Sequence, residues 1–316
     1  MTINRSKIVI VGAGLVGSST AFSLITQGIC DEVMIIDINK NKARGEVMDL
    51  CHCVEYLNRN VKVSEGDYKD CGDADIVVIT AGAPPKPGQT RLDTLELSAR
   101  IAKSIVEPIM ASGFRGHFIV VSNPVDIIAY YVYKLSGLPK NQVIGTGTAM
   151  DSARLKHFIG ELIGVDPRSV QGYTMGEHGD SQMCPWSHVT IGGKRFADII
   201  EDNEQYKDVN LDEIVRKVTK VGFEILEVKG TTCYGIATAV VGIVKAVMND
   251  ENKIIPVSTL LEGEFGESDV FCGVPAILNR NGVHDVVEVH LTTEEEKKFK
   301  HSVSVIREYI EKLNTL

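Results

Sequence analysis

The stretch KIVIVGAGLVG, residues 7–17, is the strongest indication of the fold in this sequence. A short run of β-branched residues leads into Gly12, Gly14 and Gly17, which have the spacing G-x-G-x-x-G, and an amphipathic pattern of helical period follows. Glycines let the backbone turn tightly and approach a ligand closely, and the N-terminus of the following helix attracts negative charge. Strand, glycine turn and helix in this order are typical of the first unit of a domain that binds a pyrophosphate.

The residue that ends the next predicted strand indicates which dinucleotide would bind. Asp37 lies 20 residues after Gly17. Its carboxylate can accept hydrogen bonds from the adenosine ribose, and it would repel the 2′-phosphate of NADP. The glycine motif alone is weak, because similar turns occur in βαβ units that bind nothing. The strand, the helix and Asp37 together favour a site for NAD.

The first half of the chain alternates between strand-like and helix-like patterns. Four runs rich in Val and Ile have the composition of strands buried on both faces, at residues 7–12, 32–37, 74–80 and 117–122. Amphipathic helices are predicted over 15–28 and 92–113. This alternation predicts an α/β fold, with a doubly wound parallel sheet of the Rossmann type over residues 1–150 that binds the cofactor.

After residue 150 the pattern changes, and we predict a second, α+β domain over residues 151–316 that binds the substrate. Its predicted elements are a helix at 151–164, a β-like stretch at 188–196, a helical segment at 211–249 bent at KGTTCYG, β-rich patches at 254–290 and a final helix at 292–314. There is no low-complexity linker, so we expect the two halves to pack closely.

The bulk composition excludes several classes of protein. The chain has 316 residues and a net charge of −9, which argues against a sequence-independent grip on nucleic acid or on an anionic membrane. No stretch approaches the ~18 uninterrupted apolar residues of a membrane helix, and the first residues lack a signal-peptide pattern. The seven cysteines lack the spacing of a metal site. We expect a cytoplasmic protein with reduced thiols, no metal and a small-molecule ligand.

The second half offers a candidate proton donor. His178 lies between glycines in MGEHGDSQ, and Asp151 and Arg154 are three residues apart on one face of a predicted helix. A carboxylate can orient an imidazole and stabilise its protonated form, and a guanidinium can bind a substrate carboxylate through two parallel bonds. A lone histidine is more often structural, and spacing alone does not reveal whether the helix faces His178.

Seven motifs, in order along nearly the whole chain, resemble the L-lactate/L-malate dehydrogenase family, and bacterial L-lactate dehydrogenases more closely. They are GAGLVGSS (12–19), DADIVVITAGA (73–83), PGQTRLD (87–93), SNPVD (122–126), GTGTAMDSAR (145–154), GEHGD (176–180) and KGTTCYGIA (229–237). The resemblance implies reversible hydride transfer between NADH and pyruvate to give L-lactate, a reaction of glycolysis and fermentation. It also implies a homo-oligomer, usually a tetramer and sometimes a dimer.

The resemblance further implies a role for individual residues. His178 would donate and accept the proton, Asp151 would hold its ring and raise its proton affinity, and Asn123 would lie near the reacting oxygen. The residues implied to bind the substrate are Arg91, Asn123, Arg154, Thr232 and Pro85. The residues implied to border the cofactor are Gly12, Gly14, Val16, Gly17, Asp37, Tyr68, Thr80, Gly82, Ala83, Val121, Asn123 and Ile236.

In this family the PGQTR segment, residues 87–91, is a lid that closes over bound substrate. Closure would bring Arg91 to the substrate carbonyl, where its charge stabilises the developing oxyanion. The prolines would stiffen this lid, and Gly88 would act as a hinge. The alternative is a surface turn with a solvated arginine.

Pro85 departs from the family pattern. Six residues before the lid arginine, lactate enzymes carry glutamine and malate enzymes carry arginine. Without a cation at Pro85, the second carboxylate of oxaloacetate would be unpaired in a closed pocket, which argues against malate. Thr232 also matches lactate enzymes. A broader pocket for longer 2-oxo acids, as in L-2-hydroxyisocaproate dehydrogenases, stays open.

Regulation and catalytic competence also depend on particular residues. Lys156 and Gln171 stand where relatives activated by fructose 1,6-bisphosphate carry an arginine and a histidine, so we expect weak activation or none. Because fold does not determine function, the chain could also be a catalytically inactive NAD-binding protein. The joint presence of the four implied catalytic side chains, two arginines, a histidine and an aspartate, argues against an inactive protein.

Overall fold

The computed structural model describes residues 5–82 and 91–314, without the side chains of residues 91–93 and 314. Within these residues the helices are α1 (Leu15–Gln27), α2 (Lys40–Cys53), α3 (Arg91–Ala111), α4 (Val125–Ser136), α5 (Ala149–Ile163), α6 (Phe196–Glu201), α7 (Leu211–Lys229), α8 (Tyr234–Met248) and α9 (Thr293–Asn314). The strands are β1 (Lys7–Val11), β2 (Glu32–Ile36), β3 (Lys62–Glu65), β4 (Ile76–Ile79), β5 (His117–Val120), β6 (Val143–Gly145), β7 (Val170–Gln171), β8 (Thr190–Ile191), β9 (Lys194–Arg195), β10 (Lys253–Glu262), β11 (Ser268–Asn279) and β12 (Gly282–Val286).

Six parallel strands form the predicted Rossmann sheet. Their order is β3-β2-β1-β4-β5-β6, which is the order of the doubly wound dinucleotide-binding fold. The central strands β1 and β4 are buried along their whole length, because side chains on both faces of the sheet are covered. The predicted fold class is confirmed, and the four predicted strands and the helices α1, α3 and α5 end within two residues of their predicted ends.

The sheet continues from the first half of the chain into the second. β10 pairs antiparallel with β6 where Ser258 lies opposite Gly145, and β11 and β12 extend the sheet to nine strands within the described residues. A Cβ on Gly145 would lie 2.7 Å from the Cβ of Ser258, so the glycine permits this close pairing. The expected close packing of the two halves is confirmed, whereas the domain boundary at residue 150 stays a prediction.

The bend predicted in the helical segment 211–249 separates α7 from α8. α7 ends at Lys229, and Gly230 caps it at φ 84°, a left-handed conformation that favours glycine. The final helix also begins as its acidic first turn predicts: Thr292 and Glu295 each accept a hydrogen bond from the other's backbone amide, which is a capping box. The β-like stretch 188–196 contains only the two-residue strands β8 and β9.

The carboxyl ends of the parallel strands meet at one edge of the sheet, where ligands bind in open α/β folds. In strand order, this edge places Gly12 after β1, Asp37 after β2, Tyr68 after β3, Thr80 after β4, Asn123 after β5 and Asp151 after β6. The topology thus brings together residues that are far apart in the sequence.

Candidate active site

The glycine turn has the shape that a bound pyrophosphate requires. A Cβ on Gly12, where φ is 111°, would lie 2.8 Å from Thr80 Oγ1, and a Cβ on Gly17 would lie 1.9 Å from the carbonyl oxygen of Gly12. Only glycine therefore lets α1 begin this close to β1. Among the described residues, no heavy atom lies within 4 Å of a Cβ built on Gly14, so that side of the turn is open to a ligand.

The N-terminus of α1 can hold negative charge. Gly14 is its N-cap, and in the described part of the chain no side chain caps it or places an acid in its first turn. The free amide groups and the helix dipole can therefore bind a pyrophosphate. Asp37 accepts hydrogen bonds from the amides of Ala13 (2.7 Å) and Asn39 (2.8 Å). Because Asp37 is partly exposed beside the turn, its remaining lone pairs can reach a ribose hydroxyl, so these residues fit NAD.

Of the other residues implied to border the cofactor, all but one lie in the described part of the chain. Thr80 hydrogen-bonds the carbonyl oxygens of Val11 and Gly12, both at 3.1 Å, and so also supports the turn. Gly82 and Asn123 are exposed, and the partly buried members are Val16, Tyr68, Val121 and Ile236. The peptide bond between Asn123 and Pro124 is cis. Ala83 lies outside the described residues.

The structure joins the three candidate catalytic residues of the second half. His178 Nδ1 lies 2.5 Å from Asp151 Oδ2, and Arg154 Nη1 donates to Asp151 Oδ1 at 3.1 Å. The side chain of Asp151 is 1% exposed, that of Arg154 14% and that of His178 27%. α5 therefore faces the histidine loop, a relation that residue spacing left undecided.

The electrostatics of this cluster favour a protonated histidine. The charge of Asp151 and its hydrogen bond raise the pKa of His178, although burial opposes the shift. Burial disfavours the Asp151 carboxylate, but the charges of His178 and Arg154 outweigh it and lower the pKa of Asp151. An imidazolium beside a carboxylate is therefore the favoured state near neutral pH. This state can give a proton to a substrate oxygen.

Among the described residues, backbone groups at positions 176–178 form four hydrogen bonds with β11, α9 and α4. Gly176 and Gly273 on β11 exchange two backbone hydrogen bonds of 2.8 Å, and the backbone amide of Glu177 donates to Ser302 Oγ on α9 at 2.8 Å. The backbone amide of His178 itself donates to Asp126 Oδ2 on α4, also at 2.8 Å. The position of the imidazole therefore depends on three elements besides α5.

Sequence reasoning missed three residues that contact this cluster or the loop that contains His178. Asp126 is the last residue of the motif SNPVD. A carboxylate at the start of an apolar helix is the sequence feature that could have identified it. Gln182 is buried, donates to the Gly179 carbonyl at 3.0 Å and helps to lower the pKa of Asp151. Ser302 gave no signal, since a serine on an amphipathic helix reveals its contact only through tertiary packing.

A cavity of about 480 Å³ opens between α5, α7 and α8. Arg154, Thr232 and Ile236 line it, together with the apolar side chains of Met150, Phe158, Val221 and Ile225. Arg154 Nε is buried and has no hydrogen-bond partner among the described residues. The cavity thus offers an apolar wall and a donor that can pair with a ligand carboxylate.

The lid is only partly within the described residues. Arg91 is the first residue of α3, but its side chain is not described, and Pro85 and Gly88 lie outside the described residues. The lid, its hinge and its discriminating position therefore remain predictions.

The remaining features concern metal ligands, membrane helices and cysteines. Within residues 5–82 and 91–314, no group of three or more His, Cys, Asp or Glu side chains could hold a metal ion, and no helix has the length and apolar character needed to cross a membrane. All seven cysteines lie in the described residues and all are free thiols.

Comparison with known proteins places this site in a family. The profile of the lactate/malate dehydrogenase NAD binding domain matches residues 6–145, and that of the family's alpha/beta C-terminal domain matches residues 148–316. L-lactate dehydrogenase 3 of Bacillus cereus is 54% identical over 311 residues, 98% of each chain, and L-lactate dehydrogenase 2 of the same species is 49% identical over 303 residues, 96% of each chain.

Solved structures agree with the sequence comparison. The ligand-bound minor L-lactate dehydrogenase from Enterococcus mundtii superposes with a TM-score of 0.94 at 44% identity, covering 97% of this chain and 98% of that one. A lactate dehydrogenase from a Medee basin deep-sea metagenome library gives a TM-score of 0.95 at 42% identity, covering 99% and 100%. The chain belongs to the lactate/malate dehydrogenase family.

Proposed function

We propose that this protein is an NAD-dependent L-lactate dehydrogenase, which interconverts pyruvate and L-lactate. The observation that carries the proposal is the buried Asp151 carboxylate bonded on one side to His178 and on the other to Arg154. Arg154 lines the cavity, whereas His178 is not among the lining residues and is connected to Arg154 through Asp151. The names of the similar Bacillus and Enterococcus proteins support the same reaction.

In the proposed mechanism Arg154 binds the carboxylate of pyruvate, using its unpartnered Nε and the remainder of its fork. His178 then gives its proton from Nε2 to the carbonyl oxygen as negative charge develops there, while Asp151 holds the opposite ring nitrogen. Such general acid catalysis is typically worth ~10²–10⁴-fold in rate. When bound, the nicotinamide supplies the hydride for the carbonyl carbon. In the reverse direction His178 accepts the proton of the lactate hydroxyl.

The remaining residue roles are part of the proposal. The glycine turn and Asp37 hold the dinucleotide, and Asn123 lies near the reacting oxygen. Thr232 lines the substrate pocket, and Ile236, which lines the same cavity, borders the nicotinamide. Arg91 acts from the lid on the developing oxyanion. We assign cofactor binding to residues 1–150 and substrate binding to residues 151–316, a division that the matches at 6–145 and 148–316 support.

A second candidate is a broader L-2-hydroxy acid dehydrogenase of the hydroxyisocaproate type. The apolar lining of the cavity, with Met150, Phe158, Val221 and Ile225, favours it, because a branched side chain would find apolar partners there. Steady-state kcat/KM values for pyruvate, oxaloacetate and 2-oxoisocaproate distinguish the candidates. Pyruvate ranking first supports the lactate enzyme, 2-oxoisocaproate ranking first supports the broader one, and oxaloacetate ranking first refutes both.

Replacing Pro85 tests the discrimination against a second carboxylate. In Pro85→Arg the added guanidinium can pair with the distal carboxylate of oxaloacetate, so kcat/KM for oxaloacetate should rise about tenfold or more. Pro84→Arg adds the same charge one residue away and serves as the control. A folded Pro85→Arg variant with no gain on oxaloacetate would contradict the proposed position of this residue in the closed site.

The proposal includes a homo-oligomer, a tetramer or a dimer, in the cytoplasm. Large apolar side chains are exposed on the outer faces of three helices, at Phe22 on α1, Met48 on α2, and Phe223 and Leu226 on α7. Exposed apolar surface of this kind is typical of subunit interfaces. Seven free thiols support a reducing compartment.

Activation by fructose 1,6-bisphosphate is proposed to be weak or absent. Lys156 replaces the arginine fork, and Gln171, an exposed residue of β7, adds no charge. Burial and the nearby charge of Lys253 also lower the pKa of Lys156. A large drop in the KM for pyruvate on adding the bisphosphate would contradict this.

A further inference from the structure

Asp126 is a buried carboxylate that the proposed mechanism does not use. It is the second residue of α4 and is 1% exposed. Its Oδ2 accepts the backbone amide of His178 at 2.8 Å, and its Oδ1 accepts the hydroxyl of Ser258 at 2.6 Å. Asp126 therefore links β10 of the second half to the main chain of the proposed proton donor.

The surroundings of Asp126 give its charge few other partners. A buried carboxylate is costly unless hydrogen bonds or an opposite charge compensate it. Among the described residues no lysine or arginine forms an ion pair with Asp126; the ionisable groups that face it are His178 and Glu177 from the loop and Cys272 from β11. The charge of His178 lowers the pKa of Asp126 and the charge of Asp126 raises the pKa of His178, so the interaction is mutual.

We propose that Asp126 is a positioning residue that fixes the main chain of His178 opposite Asp151 and supplies a second negative charge that keeps the imidazole protonated. This rests on the proposed role of His178 as proton donor. Two carboxylates then act on one histidine: Asp151 bonds the ring, and Asp126 bonds the backbone amide of the same residue. Asp126 thus affects both the conformation of the loop and the proton affinity of the His178 ring.

The directions of the pKa shifts of Asp126 and His178 agree with this geometry. Burial raises the pKa of Asp126 to about 6, while its bonds to Ser258 and His178 act in the opposite direction. The Asp126 carboxylate also adds to the effect of Asp151 in raising the pKa of His178. Above pH ~6, where Asp126 is ionised, its charge therefore helps His178 to retain a proton through neutral pH.

The other anchors of the same loop are neutral, which provides a matched control. Ser302 Oγ is fully buried and accepts the backbone amide of the adjacent residue, Glu177, at 2.8 Å. Ser302→Ala removes an anchor of equal length one residue away, together with the 3.0 Å contact between Ser302 Oγ and Ser181 Oγ, but removes no charge. A purely structural role for Asp126 predicts that the two sites behave alike.

The test compares Asp126→Asn with Ser302→Ala. Asparagine keeps the shape and can still accept the His178 amide, but it has no charge. We expect the pH at which kcat/KM for pyruvate reduction falls to move down by about half a unit or more in Asp126→Asn, with the Kd for NADH unchanged. Ser302→Ala should lower kcat without moving the pH profile.

A direct titration separates this inference from the proposed reaction. Nuclear magnetic resonance of the protein with ¹⁵N-labelled histidine, without added ligand, reports the pKa of the His178 ring whether or not pyruvate is a substrate. A lower His178 pKa in Asp126→Asn supports the proposal. An unchanged pKa, or an equal decrease in Ser302→Ala, overturns it. If pyruvate is not turned over by the unmodified protein, the proposed function fails and the titration still decides the role of Asp126.

Ser258→Ala covers the case in which Asp126→Asn does not fold. It keeps the carboxylate but removes the 2.6 Å hydrogen bond that favours ionisation, so the charge is present only at higher pH. Because the charge of Asp126 acts on the His178 ring, the ¹⁵N shifts of that ring should respond to the ionisation of Asp126, and in Ser258→Ala this response should move from about pH 6 to higher pH. A His178 ring that shows no response to this ionisation, or shows it at the same pH in a folded Ser258→Ala variant, would count against the proposal.

Discussion

At the scale of single residues, the site depends on the two different partners of the buried Asp151 carboxylate. One oxygen of Asp151 bonds His178 and the other bonds Arg154, so one aspartate holds both the proton donor and the group that binds the substrate. The charge of Asp151 is the largest cause of the raised pKa of His178. Proton transfer and substrate orientation are therefore coupled through a single side chain.

Asp151→Asn tests how far the charge of Asp151 raises the pKa of His178, because it should change the pH dependence of activity. Pyruvate reduction needs protonated His178, so kcat/KM should fall as pH rises through the His178 pKa. Asparagine removes the charge that raises this pKa, so the fall should begin at lower pH, and kcat/KM at neutral pH should decrease by about 10²–10⁴-fold. The measurement is kcat/KM from pH 5 to 10. A pH profile that coincides with that of the unmodified protein would show that Asp151 does not control the titration.

Sequence reasoning identified Asp151, Arg154 and His178 but missed Asp126. The first three have side chains with an evident chemical task and lie in motifs that resemble a known family. Asp126 acts on a backbone amide 52 residues away, and no local pattern encodes which amide a buried carboxylate will meet. The residue types therefore predicted which side chains take part in the reaction, but not which side chain holds the backbone of His178.

At the scale of elements, the glycine turn between β1 and α1 is a steric requirement. The helix starts so close to the strand that a Cβ on Gly17 would lie 1.9 Å from the Gly12 carbonyl oxygen. That contact is with backbone, which cannot rotate away. The same approach leaves the amides of the first turn free for a pyrophosphate.

Gly17→Ala should therefore weaken both folding and cofactor binding. The methyl group forces α1 away from β1, and overpacking of this kind typically costs ~1–3 kcal/mol, so we expect a lower Tm and a Kd for NADH raised about tenfold. Gly45→Ala is the matched control, because Gly45 is exposed on α2 with no heavy atom of the described residues within 4 Å of its Cβ position. It should be neutral or stabilising by up to ~1 kcal/mol. Equal melting and binding for the two variants would contradict the steric argument.

Several elements with strong periodicity or a continuous apolar run were predicted from the sequence, whereas α2, α4 and the two-residue strands were not. β1, β4, α1 and α3 have strong periodicity or continuous apolar runs, and their ends were predicted within two residues. β7, β8 and β9 have two residues each, which is too short for a period to be seen. Their pairing depends on neighbours supplied by the rest of the chain.

At the scale of the whole molecule, one sheet connects the two halves. The antiparallel pairing of β10 with β6 continues the parallel sheet into the second half, and it places Ser258 against Asp126. The cofactor edge comes from the first half, whereas His178 comes from the second. The sequence predicted close packing of these halves, but a pairing between strands more than 100 residues apart depends on tertiary structure that local patterns do not contain.

The exposed apolar face of α7 predicts assembly. Phe223 is 63% exposed and Leu226 lies close by on the same helix, and burial of such residues between subunits is favourable. Phe223→Glu should therefore reduce the mass observed by sedimentation velocity. Lys220→Glu, which changes charge on the same helix without removing apolar surface, should leave the mass unchanged. A chain that sediments as a monomer before any substitution would refute the proposed oligomer.

The most direct test of His178 as the proton donor is NADH oxidation with pyruvate by His178→Ala, measured together with the Kd for NADH. We expect kcat/KM to fall by about 10²–10⁴-fold while NADH still binds. His301→Ala, which changes an exposed histidine on α9, should keep full activity. A His178→Ala protein that binds NADH and still reduces pyruvate within about tenfold of the unmodified rate would contradict the proposal that His178 transfers the proton.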